Sequence, residues 1–242
     1  MPDKTNDANP LRAEDVGSFD TWMSVCAFER RFWLQTDILY QTGGWLSAQH
    51  PPQKHKKLDA EFLPLLILAK HENGRRKNWD MTLEIKAKVN PEDEGEQSFD
   101  GEFRFTSNQP TISGTENREG RIEVVTGMTQ EQFLAFKATN VQLERDHIVS
   151  QEPRDMDHGL PEMKSAVLQA ISKKATKMDH GTYHKDTALL VWLRAEVNPR
   201  FGGVAFYDEA FKDQMKDAAG GFKKVCVVGI NAGCHWVKGE GL

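Results

Sequence analysis

With 242 residues, 38% of them hydrophobic and 28% charged, the chain is long enough to bury one full core and has an ordinary globular composition. Its formal net charge of −5 argues against a protein that coats nucleic acid by charge alone, because phosphate contacts need Lys and Arg. The longest apolar runs, Phe62–Ala69, Ala188–Leu193 and Val225–Ile230, fall far short of the roughly 20 residues a membrane span needs, so no membrane partner is expected.

The N-terminus has no apolar core of a signal peptide, and 1–17 reads as a polar, disordered tail ahead of a single α/β domain over 18–242. Cys26, Cys226 and Cys234 are odd in number and scattered, which suits a reducing, cytoplasmic compartment; Cys226 reads as core. The basic runs Lys54–Lys57, Arg75–Lys77 and Lys173-Lys174 with Lys177 read as solvated faces.

Ser18 suits the N-cap of a helix running to about Gln41 before Gly43-Gly44. On it Trp22, Cys26, Glu29 and Trp33 share a stripe about 60° wide, which sets a carboxylate amid aromatic side chains. Such a Glu either pairs with an Arg from elsewhere, snorkels to water, or meets a cation. Glu61–Glu72 fits a short helix or a buried strand equally well, and Asn73-Gly74 signals a turn. Asp80–Val89 and Phe99–Phe105 alternate as strands, and Arg121–Thr126 is a third.

A helix from Gln130 to about Lys137 follows, and Val141–Val149 is ambiguous. Pro161 suits the first position of a helix reaching about Met178. Ala188–Arg194 and Phe222–Ile230 read as central strands, apolar on both faces; Asp208–Ala219 is a helix ended by Gly220-Gly221, and Cys234–Lys238 a last strand. The order makes a layered α/β fold.

Two groups of side chains suit a divalent cation, which wants one or two carboxylates plus phosphate oxygens and water. The first is Asp100 with Glu123, acids on two strands facing away from the Phe and Ile/Val positions. The second is Asp59 or Asp80 with Glu84 and Lys86, whose Glu-x-Lys spacing puts acid and lysine on one strand face. On the helix after Pro161 the apolar stripe is Met163, Val167, Ala170, Ile171 and Met178, with Lys174 in its middle. An inward lysine wants a carboxylate or a ligand phosphate; the alternative is a stem along the core and a head in water.

The stretch Phe99–Phe105, then Ile122-Glu123-Val124-Val125-Thr126, then Ala166–Lys177 and Thr187–Leu193 resembles the PD-(D/E)xK nuclease superfamily, the restriction-endonuclease-like fold. The resemblance implies a three-layer core, a central mixed sheet flanked by helices. It implies hydrolysis of phosphodiester bonds in nucleic acid, DNA foremost, with Mg²⁺ or Mn²⁺. Asp100 and Glu123 would bind the metal, Lys174 or Lys173 would stabilise the phosphorane, and Glu29 would take the role of the acid on the family's first helix. Val125 stands where the family's strand carries its lysine. The alternative is a non-catalytic accessory protein, bacterial or phage, binding a partner on the same scaffold. The oligomeric state stays open, a homodimer included.

Asp146-His147-Ile148-Val149 echoes an HNH motif without its later Asn and His, and His158, His180 and His184 read as loop residues, either at the surface or as metal ligands. A P-loop, a GxGxxG turn and a GxSxG elbow are absent from the sequence.

Overall fold

A computed structural model describes residues 18–41, 58–75, 81–87, 99–107, 118–127, 156–193, 208–229 and 233–242. Seven strands form one mixed sheet in chain order: β1 (Met23–Ser24), β2 (Met81–Ala87), β3 (Gly101–Ser107), β4 (Arg118–Thr126), β5 (Ala188–Leu193), β6 (Val225–Gly229) and β7 (Gly233–Lys238). β1 to β4 pair antiparallel; β4–β5 and β5–β6 are parallel; β7 returns antiparallel. The helices are α1 (Val25–Gln41), α2 (Leu63–Arg75, entered through a π-helical turn at Leu58–Phe62), α3 (Met156–Asp179) and α4 (Glu209–Ala218).

Two apolar clusters place the layers. On one face, Phe28 and Phe32 of α1 and Leu65, Leu66 and Leu68 of α2 meet Ile85, Phe103, Ile122 and Trp192. On the other, Val167, Ile171, Phe211 and Met215 of α3 and α4 meet Leu189, Val191 and Val227. Helices therefore cover both faces of a mixed sheet, as an α/β three-layer core requires. β5 explains its own uninterrupted apolar run: all six of its residues are buried, because helices lie above and below it.

The alternation in β4 sorts its side chains between the two layers. Ile122 and Val124 face the α1/α2 layer, which turns Glu123 and Val125 toward α3 and α4. Gly127 lets α3 come close at the end of β4, since a Cβ there would stand 2.6 Å from Val167 Cγ2. Seven residues on from Val167, along the same helix stripe, comes Lys174.

Several expectations shift. The first helix begins at Val25 rather than beside Ser18: the Ser18 hydroxyl accepts from Asp20 N–H at 3.1 Å in a turn, and Ser24 accepts from Ala27 N–H at 3.3 Å at the helix start. Glu61–Glu72 resolves into helix, carried through Asn73-Gly74 to Arg75. The helix over α3 begins at Met156, so Pro161 lies inside it. The predicted tail 1–17, the helix 130–137 and the segment 141–149 lie outside the described residues. No helix among the described residues is long and apolar enough to cross a membrane.

Candidate functional site

The β3–β4 ladder ends at the pair Gly101–Ile122. One residue beyond on each strand stand Asp100 and Glu123. Asp100 is fixed twice at this end: its N–H donates to Ile122 O at 2.9 Å, and its Oδ2 accepts from Val124 N–H at 2.7 Å. The side chain thus takes the ladder position that a further β3 residue would fill.

Glu123 is 2% exposed. Its Oε1 accepts from the Lys174 ammonium and from the Tyr183 hydroxyl, the latter at 3.0 Å. Its Oε2 is buried with no hydrogen-bond partner among the described residues. Burial works to lower the Lys174 pKa, but the charge of Glu123 and its hydrogen bond outweigh it and hold the ammonium above its usual value. Burial, then the Glu123 charge, then the Glu61 charge push the Asp100 carboxyl up to about 8, against the Val124 N–H and Lys174. Burial and the Glu123 charge push the Tyr183 hydroxyl up to about 12, so it stays a donor.

Asp100, Glu123 and Lys174 are therefore brought together, and Glu61 is near enough for its charge to act on Asp100. Glu29 and Lys173 are not part of this group. Glu29 lies on the outward side of α1, where its Oε1 takes Lys70 Nζ at 2.6 Å. The stripe of Cys26, Glu29 and Trp33 is the solvent side of the helix, with Trp33 50% exposed, while Val25, Phe28 and Phe32 face the sheet. The stripe misled because the true inner face, one step away around the helix, is also aromatic. Lys173 is exposed, a 100° helical step from Lys174.

The second candidate group resolves into ordinary cross-strand pairs. Arg104 Nε meets Glu84 Oε2 at 2.7 Å, and Lys86 pairs with Glu102, which Arg121 approaches at 3.5 Å. Arg104 and Lys86 also lie over the Trp22 ring, at 4.5 and 4.9 Å. Asp80 and the Asp59 side chain lie outside the described residues, as do His147 and the His158 side chain. His180 and His184 are exposed; Asp186 N–H donates to His184 Nδ1 at 3.4 Å.

Two members of the group escaped the sequence. Glu61 carried a readable signal: it stands in an apolar frame of Leu58, Phe62 and Leu65, but the helix-or-strand ambiguity hid its direction. Tyr183 carried a weaker one. Gly181 (φ 74°) ends α3, with Thr182 N–H on Lys177 O and Gly181 N–H on Met178 O, both at 2.9 Å, a Schellman reversal that carries the chain back toward the sheet.

Among the described residues no three His, Cys, Asp or Glu side chains form a ready-made metal-binding group. The pair that could hold a cation is Asp100 with Glu123. Its donors fit a hard divalent ion: they are carboxylate oxygens, one is buried without a donor, and the other carboxyl is crowded by its negative neighbours. No family model, no curated protein and no solved structure matches this chain.

Proposed function

We propose that the protein is a metal-dependent nuclease that hydrolyses phosphodiester bonds, with DNA as the first substrate to test. One observation carries the reading: two carboxylates from neighbouring strands, one with a buried oxygen left unanswered, meet an inward lysine. The order of the strand with Asp100, the strand with Glu123, the lysine-bearing helix and the apolar parallel strand also agrees with the resemblance to the PD-(D/E)xK superfamily. Lys174 supplies from α3 the cation that Val125 does not.

In this reading Asp100 and Glu123 hold Mg²⁺ or Mn²⁺, and Glu61 adds negative charge beside them. The bound cation supplies Lewis-acid polarisation of a phosphate and a water of lowered pKa. The Lys174 ammonium remains charged and faces the same spot, where it can stabilise charge developing on a phosphoryl oxygen. Asp100 carries a proton at neutral pH and must lose it to bind a cation, so metal affinity rises as pH approaches about 8.

The test is cleavage of labelled double-stranded DNA, single-stranded DNA and RNA with Mg²⁺ or Mn²⁺. Cleavage that needs the metal and falls by about 100-fold or more in Glu123→Gln and Asp100→Asn is the expected result. No cleavage of any polymer, together with unchanged metal binding in Glu123→Ala, would remove the catalytic reading. The non-catalytic reading, a partner-binding protein on the same fold, has one favouring observation: Lys174 already answers one oxygen of Glu123 as a closed ion pair.

A further inference from the structure

We infer that Tyr183 is a positioning residue of this site, which fixes Glu123 so that its second oxygen faces the cation position beside Asp100. This role rests on the metal-site reading and adds to it a residue outside the carboxylate–lysine group.

The two donors on Glu123 Oε1 do different work. Lys174 brings a full charge, but an ammonium is a near-spherical donor on a flexible four-carbon stem and imposes little direction. Tyr183 is a rigid ring with its hydroxyl at one point in space. That ring is 3% exposed and lies against Phe222, with centroids 5.8 Å apart. The backbone before it is set by the Gly181 reversal, and after it Thr187 N–H donates to His184 O at 2.8 Å as the chain enters β5. The hydroxyl is therefore held from both sides in sequence and from one side in space.

A rigid donor on Oε1 restricts the rotation of the Glu123 carboxylate, and Oε2 is the atom without a donor among the described residues. Outer hydrogen bonds of this kind set the direction and basicity of a metal-binding carboxylate.

The test is calorimetric titration with Mn²⁺ alone, on the full chain. Tyr183→Phe keeps the ring and its contact with Phe222 but removes the donor. Its thermal melt is expected to stay close to that of the wild type, while Mn²⁺ binding weakens by about 10-fold. In a Glu123→Asp background the shortened side chain cannot reach the hydroxyl, so Tyr183→Phe is expected to add no further loss. Unchanged Mn²⁺ affinity in Tyr183→Phe, or equal losses in both backgrounds, overturns the inference and leaves the metal site standing. A wild-type chain that binds no Mn²⁺ overturns the metal site itself and this inference with it. Should Tyr183→Phe lose its cooperative melt, Tyr183→Met, also without a donor, carries the same comparison.

Discussion

Two buried glutamates lie on opposite faces of the sheet, and the protein treats them differently. Glu72 of α2 is 0% exposed, and both its oxygens are answered: Oε1 by the Trp236 indole N–H at 3.0 Å and Arg75 at 3.5 Å, Oε2 by the Leu242 N–H at 3.3 Å. Its partners come from its own helix, from β7 and from the chain beyond, so the carboxylate ties α2 to the far edge of the sheet. Glu123 is as deeply buried, yet two donors crowd one oxygen and the other has none among the described residues. Burying a carboxylate is costly unless its hydrogen bonds are made. Glu72 is a fully answered acid that acts as a structural joint; Glu123 is half-answered among the described residues and has a second acid, Asp100, beside it.

The sharpest way to break this contrast is to remove each acid and compare stability. Glu72→Ala strands the Trp236 N–H and the Leu242 N–H in the core and is expected to cost about 3 kcal/mol in urea unfolding. Glu123→Gln keeps an acceptor for Tyr183 and for Lys174, whose side chain is still 21% exposed, and the lost ion pair is offset by removal of a negative charge next to Asp100, so its cost is expected to stay within about 1 kcal/mol. A reversed order, with Glu123 the more expensive residue to lose, would make it the structural joint and dissolve the distinction.

A pH series on Asp100 sharpens the same contrast. The folded carboxyl titrates at about 8, far above the ordinary 3.8 expected of the unfolded chain. Between those two values the folded protein keeps a proton that the unfolded chain releases, so unfolding is favoured as pH rises. This contribution is harmless below about pH 4, grows through the neutral range and levels off above about 8. Asp100→Asn retains an oxygen for the Val124 N–H and removes the titration. It is expected to be more stable than the wild type at pH 8 by on the order of 1–3 kcal/mol, with the gap closing at pH 4. Unfolding curves at the two pH values measure it. A gap that widens on acidification would mean that Asp100 is paired as an ion rather than crowded. Saturating Mg²⁺ is expected to flatten the wild-type slope, because a bound cation takes the place of the proton.

The patterns that declared themselves in the sequence were those in which both faces of an element agree. Ala188–Leu193 and Val225–Gly229 are apolar throughout because both faces are covered, and a run of that kind needs no knowledge of its neighbours. The pairing of Asp100 with Glu123 was legible because strand alternation fixes sides, and Lys174 because a lone cation on an apolar stripe must be answered. Glu29 misled for the opposite reason. On α1 the inner face (Phe28, Phe32) and the outer face (Cys26, Trp33) are both rich in apolar groups, so periodicity alone could not say which one meets the sheet. Glu61 and Tyr183 depend on tertiary placement, the one on a π-helical entry into α2 and the other on a reversal after α3. Neither direction is encoded in local spacing.

Glu29 also provides the zero of the comparison, a carboxylate with an ordinary surface partner. Its ion pair with Lys70 joins α1 to α2 on the solvent side, with the two side chains 32% and 53% exposed. In water such a pair gains little, because screening weakens the attraction and two long side chains lose freedom to form it. Glu29→Gln is therefore expected to change stability by less than about 0.5 kcal/mol and to leave Mn²⁺ affinity and any cleavage rate untouched. The measurement matters because the resemblance assigned Glu29 a share in the metal site, whereas the charges that reach Asp100 are those of Glu123, Glu61 and Lys174. If Glu29→Gln weakened Mn²⁺ binding as strongly as Glu61→Gln did, the outer face of α1 would have to turn inward when the cation binds. The division between answered and unanswered acids would then hold only for the metal-free protein.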